Sequence, residues 1–195
     1  MQDKDKKYIL EYDMKKLTIN LTIMMLLLSM SSISSASSSS NNTLDIDSYN
    51  KELRTAIRLY KDDDYEQALP QLEIFAKRGD KMSQYIVGTM YLNSQGTKQD
   101  LVKSYAWLTV ANEQRSDAWE RPLKMLEEKL PADYLSVLAS EGNKYVELYG
   151  AKSQRLKCKN VKELGSKYPT HRCNKIEITN GYYFVDDQQY SAMID

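Results

Sequence analysis

Residues 79–114 read GDKMSQYIVGTMYLNSQGTKQDLVKSYAWLTVANEQ, and this stretch decides the fold. After Asp80 the apolar residues Met82, Ile86, Val87, Met90 and Tyr91 recur at three- and four-residue spacing, which places them on one stripe of a helix. A turn containing Gly96 follows, and from Asp100 the stripe resumes as Leu101, Tyr105, Leu108 and Ala111. Asp80 and Asp100 are good N-cap residues, because a short carboxylate accepts from the unpaired N–H groups of a first helical turn. The stretch is a pair of helices.

The pattern extends in both directions. Upstream, Tyr49, Leu53, Ala56, Ile57 and Tyr60 form a stripe that ends in the run Lys61, Asp62, Asp63, Asp64. Asp64, with Gln67 three residues on, opens a further helix carrying Tyr65, Ala68, Leu69, Leu72 and Ala76, which stops at Gly79. Pro70 lies inside this helix, where loss of one backbone hydrogen bond bends it without ending it. Asp64, Ala68 and Leu72 recur 36 residues later as Asp100, Ser104 and Leu108, and Ala56 and Tyr60 recur 31 residues later as Val87 and Tyr91. A helix pair with a small-residue seam cannot bury its stripe alone, so successive pairs stack. Downstream, Trp119, Leu123, Leu126 and Leu130, then Leu135, Leu138, Gly142, Tyr145, Val146 and Tyr149, form a closing pair that caps the array, with Pro131 at the first turn of its last helix. The expectation is an all-α chain, a short α-α solenoid over residues 45–150.

Ser83, Gln84, Val87, Gly88, Met90, Tyr91, Gly96, Asp100, Lys103, Ser104, Trp107 and Ala111 resemble the Sel-one-like repeat, a relative of the tetratricopeptide repeat. One unit, Gly79 to Gln114, carries the whole pattern, and Asp47 to Ala76 resembles a degenerate leading repeat. Ser83 and Ser104 stand where alanine is usual, Thr97 and Lys98 where a glycine-valine loop is common, and Asn112 where a second alanine is usual. The resemblance implies a protein or peptide partner and no catalysis.

Beyond Gly150 the helical period stops, and residues 151–195 read as a small disulfide-bonded module. Cys158 and Cys173 are the two cysteines and are expected to pair, since an exported chain folds in an oxidising compartment. Closing a loop of about 15 residues is worth roughly 3 kcal/mol in the chain-entropy account. Asn180-Gly181, between the runs Ile176–Thr179 and Tyr182–Val185, signals a two-residue β-hairpin. Its Ile176, Ile178, Tyr183 and Val185 are expected on one face, docked on the disulfide loop or the last helix.

The N-terminal end reads as processing signals. From Met14, two lysines, an apolar stretch from Leu17 to Met30 and small residues at Ser34 and Ala36 follow the plan of a secretory signal peptide over residues 14–36. The apolar stretch is shorter than the roughly 20 residues needed to span a bilayer. Residues 1–13 then read as an upstream extension outside the native start, and residues 37–44 as a serine-rich, disordered leader. The expected location is periplasmic or secreted.

Composition excludes several functions. The chain of 195 residues balances 27 basic against 27 acidic side chains, so net charge supports neither a nucleic-acid nor an anionic-membrane partner. His171 is the only histidine, and Cys173 two residues away is expected in a disulfide, so neither a cysteine–histidine dyad nor a zinc site is expected. Asp62, Asp63 and Asp64 lack the glycine-spaced pattern of a calcium loop and suit a helix start. Glu127 and Glu128 read as solvated surface acids, and no glycine-rich phosphate loop occurs. No cofactor and no catalytic residue is expected. In helix-pair arrays the first helix of each pair lines the concave side, and there Arg54 and Arg58 align with Tyr85 and Thr89, the four expected partner contacts. Two other roles fit the sequence: a cell-wall enzyme modulator or inhibitor acting through the disulfide module, and a membrane-tethered scaffold.

Overall fold

The computed structural model describes residues 43–185 except 163 and 166. The expected extension 1–13, signal peptide 14–36 and most of the leader lie outside the described residues.

Six helices follow one short strand: β1 (Thr43–Asp45), α1 (Ile46–Lys61), α2 (Tyr65–Lys77), α3 (Lys81–Asn93), α4 (Leu101–Ala111), a 3-10 turn (Asn112–Gln114), α5 (Asp117–Lys129) and α6 (Ala132–Tyr149). Four strands close the chain: β2 (Leu156–Val161), β3 (Thr170–Lys175), β4 (Glu177–Thr179) and β5 (Tyr182–Phe184). The caps explain where the helices begin. Asp45, Asp80 and Asp100 accept from the backbone N–H groups of Ser48, Ser83 and Lys103 at 2.8, 2.8 and 2.9 Å. Asp64 makes no such bond to the backbone, and its carboxylate instead accepts from the Gln67 amide. Pro70 lies within α2, which continues to Lys77.

Helices α1 to α4 pack in sequence, each on the next, and α6 lies along α4 and reaches α2. The two recurrences found in the sequence hold in space: Ala56 and Val87, Ala68 and Ser104, Leu72 and Leu108 are all fully buried at equivalent places. Gly88 permits the closest of these contacts, since a Cβ there would stand 2.8 Å from Leu108 Cγ. Trp107 sits between two tyrosines of α6, edge-on to Tyr145 at 4.8 Å and stacked on Tyr149 at 5.1 Å. The unit is therefore an α-α solenoid of two stacked pairs closed by α5 and α6.

The C-terminal module differs from expectation in three ways. The segment bridged by Cys158–Cys173 is a hairpin: β2 and β3 pair antiparallel with the two cysteines directly opposite each other. The second hairpin carries a bulge between Glu177 and Thr179, so Glu177 faces Tyr183. Ile176 and Ile178 are consequently exposed while Tyr183 and Val185 turn inward, and the four do not share a face. The third difference concerns docking. Tyr183 packs edge-on against Tyr49 of α1 at 5.3 Å, and β5 pairs on its other side with β1 in the sheet order β1-β5-β4. Thr43 and Leu44, expected at the end of a disordered leader, are thus strand residues opposite Phe184 and Tyr183.

Ser83 and Ser104, where the repeat pattern has alanine, behave differently. The Ser83 hydroxyl donates to Asp80 Oδ1 at 2.7 Å, whereas the fully buried Ser104 hydroxyl has no partner among the described residues. A buried hydroxyl without a partner costs about 1–3 kcal/mol. Ser104→Ala should raise stability by about 1 kcal/mol in urea unfolding, and Ser83→Ala should lower it.

Candidate partner-binding surface

The four expected contact residues occupy α1 and α3. Arg54 and Arg58 are exposed on successive turns of α1, where the stripe of Leu53, Ala56, Ile57 and Tyr60 turns the other way into the core. Their counterparts are partly committed to the fold. Tyr85 is half-buried and stacks on Trp119 of α5, with ring centres 5.0 Å apart and planes 10° from parallel. Thr89 donates its hydroxyl to the Ile86 carbonyl at 2.8 Å. The structure thus leaves two cationic groups open on α1 and uses the matching aromatic of α3 to hold α5.

A groove of about 460 Å³ runs between α1 and α2, lined by Ser48, Lys51, Glu52, Thr55, Gln71 and Ile74. Ile74 is half exposed, and Arg78 extends over the ring of Phe75 at 5.9 Å. Sequence reasoning missed this groove. Its signal was Ile74, an apolar residue off the buried stripe of Leu72, Phe75 and Ala76. A smaller cavity of about 360 Å³ separates Tyr49, Asn50 and Leu53 of α1 from Asn174 and Lys175 of β3, with Asp80 on its wall. Burial pushes the Asp80 carboxyl above the usual carboxylate range, against the pull of the two bonds from Ser83.

Beneath these surfaces lies a polar knot. Lys81, almost fully buried, donates to Glu113 Oε2 at 2.6 Å, to Gln84 Oε1 at 2.9 Å and to the Val110 carbonyl at 3.2 Å. Gln84 spends its amide N–H groups on the carbonyls of Ala76 and Tyr149, at 2.8 and 2.9 Å. Glu113 also accepts from Ala151 N at 2.8 Å, and its neighbour Gln114 accepts from Cys173 N at 3.0 Å. Burial pulls the Lys81 ammonium below its ordinary value, and the Glu113 carboxylate draws it back up.

His171 and Cys173 form no dyad, as Cys173 is held in the disulfide. Among the described residues no group of three or more His, Cys, Asp or Glu side chains is placed to hold a metal ion. The Asp63 carboxylate accepts from the Tyr65 hydroxyl, close to the Asp64–Gln67 contact at the start of α2. No described helix is long and apolar enough to cross a membrane.

The chain is similar to a solved protective antigen of uropathogenic Escherichia coli strains that displays an SLR (Sel-one-like repeat) fold. The two share 24% identity over 53% of this chain and 23% of that one, with a TM-score of 0.42. No protein-family model and no curated protein matches the chain. The assignment to a repeat solenoid rests on the caps, the recurring buried positions and the helix order described above.

The knot makes a pH-dependent prediction. Glu113→Gln leaves a buried, unpaired ammonium, which should cost about 3 kcal/mol at neutral pH. In that variant folded Lys81 loses its proton further below 10.5, the value of an ordinary lysine, than it does in the parent. Between those values the unfolded chain holds more protons, so the variant gains stability as pH rises. Urea unfolding should show the deficit narrowing toward pH 10; a deficit independent of pH would contradict the assignment.

Proposed function

We propose that the protein is an exported adaptor that grips a protein or peptide partner along the concave side lined by α1 and α3, with Arg54, Arg58, Tyr85 and Thr89 as its contacts. The observation that carries this reading is the pair of exposed guanidinium groups on α1, which make no hydrogen bond or ion pair with any described residue. Arginine is weakly hydrated, stacks on aromatic rings and forks onto carboxylates, so an open pair suits polypeptide capture. Repeat arrays with little catalytic chemistry act through such surfaces. Export is supported by the disulfide, which persists in oxidising compartments, and by the signal-peptide plan of residues 14–36. The mature chain then begins near residue 37 in the periplasm or outside the cell.

Two experiments test the two halves of the proposal. Arg54→Glu combined with Arg58→Glu should cut partner capture from a cell-envelope fraction by roughly tenfold or more, while the helical circular dichroism signal stays unchanged. Equal capture by the variant would remove this surface from the function. Amino-terminal sequencing of the exported chain should begin near residue 37, and a start before Ser29 would refute signal cleavage. The double variant keeps Tyr85, because its stack on Trp119 makes Tyr85→Ala a packing mutation.

A further inference from the structure

The balance of charge over the whole chain conceals a strong local imbalance. Residues 151–185 hold eight lysines and arginines against two acidic residues, Glu163 and Glu177. The β2–β3 ladder sorts them by face. Lys157 and Lys159 alternate with Cys158, so they project from the side opposite the disulfide, and Lys159 pairs directly with Arg172. The cysteine side is turned to the repeats, where Cys173 is buried and its N–H is bound by Gln114. Like charges set directly across a ladder oppose pairing. Here the adjacent disulfide holds them together, so the fold keeps a basic face that pairing alone would disfavour.

The tip of the same hairpin is apolar where solvent is. Leu164 is fully exposed and Tyr168 is 70% exposed, flanked by Lys162 and Lys167, whose ammonium lies 5.7 Å from the Tyr168 ring centre. Nothing lies within 4 Å of a Cβ built on Gly165 between them, so the tip stands clear of the remaining described structure.

We propose that this stapled hairpin is a docking finger for an anionic phospholipid surface, with Leu164 and Tyr168 entering the headgroup region and Lys157, Lys159, Lys162 and Lys167 meeting lipid phosphates. A lysine cluster alone would suit any polyanion. The tip decides between them: a nucleic acid or an acidic peptide engaged by the lysines leaves Leu164 in water, whereas a bilayer interface takes an aliphatic side chain at the acyl boundary and a tyrosine at headgroup level. The proposal uses none of the adaptor's contact residues and stands or falls separately from it.

Vesicle co-sedimentation of the full chain tests it, with phosphatidylglycerol–phosphatidylethanolamine vesicles compared with pure phosphatidylcholine. The parent should sediment with the anionic vesicles, and high salt should release it. Lys157→Glu with Lys159→Glu should lower partitioning roughly 30-fold or more, and Leu164→Ser roughly tenfold, both with unchanged circular dichroism. Retention that is equal on phosphatidylcholine and indifferent to the charge reversal would belong to the apolar stretch 17–30 and overturn the proposal. So would tight binding of a short DNA duplex with Leu164→Ser leaving both DNA and vesicle binding untouched. Lys124→Glu, on α5, serves as a charge control and should change vesicle binding little.

Discussion

Gln84 holds three helices, α2, α3 and α6, at one buried point. Its two amide N–H groups satisfy carbonyls at the ends of α2 and α6, and its carbonyl accepts from Lys81, all within α3's fully buried face. A carboxylate of the same shape has no protons for those carbonyls, and a methionine of similar length has neither donor nor acceptor. Either replacement strands buried polar groups, which costs more than the bonds themselves contribute. The knot therefore sets the position of α6 as firmly as hydrophobic contact does, and Trp107 can wedge between Tyr145 and Tyr149 because the end of α6 is already tied.

From this point order spreads to the C-terminal module. Glu113 links the Lys81 ammonium to Ala151, the first residue after the helical array, and Gln114 links the same turn to Cys173. β5 then joins β1, and Tyr183, Tyr49 and Phe75 form a chain of edge-on aromatic contacts from sheet to helix. The two ends of the described structure are thus held together. A terminal repeat must cover its open apolar face, and here part of that cover comes from strands at the far end of the chain. Cutting at Gly150 would remove the partner of β1 and the cover of Tyr49, so the array and the module form one folding unit and cannot be assigned separate activities by truncation.

The helices were legible because their signals are local. Caps at Asp80 and Asp100 and the stripe Ile86, Val87, Met90 and Tyr91 each depend on neighbours a few residues away. The sheets were harder to read for physical reasons. LKCKNV and THRCNK contain too few apolar residues to show an alternating buried face, since the disulfide and contacts to the 3-10 turn hold them where a greasy face normally would. Thr43–Asp45 becomes a strand only because β5 arrives beside it. Lys81 in a first helical turn reads as a solvated cation, and nothing nearby in the chain announces Glu113 as its partner 32 residues away. The bulge at Glu177–Thr179 shifted the hairpin by one residue, which was enough to reverse Ile176 and Ile178.

The surroundings of the four candidate contact residues were hard to read for a similar reason. Offset 31 equates position 54 with position 85, but positions aligned by a repeat face different neighbours. In α3 that position meets the indole of Trp119 from the closing pair, and in α1 it carries a guanidinium exposed to solvent. Both side chains have flat faces suited to aromatic rings. The site that receives an internal aromatic in the second unit thus presents, in the first, a group able to receive one from outside. Under the adaptor reading this favours a partner segment that offers an aromatic residue beside a carboxylate, the first to lie over the guanidinium plane and the second to take its N–H groups.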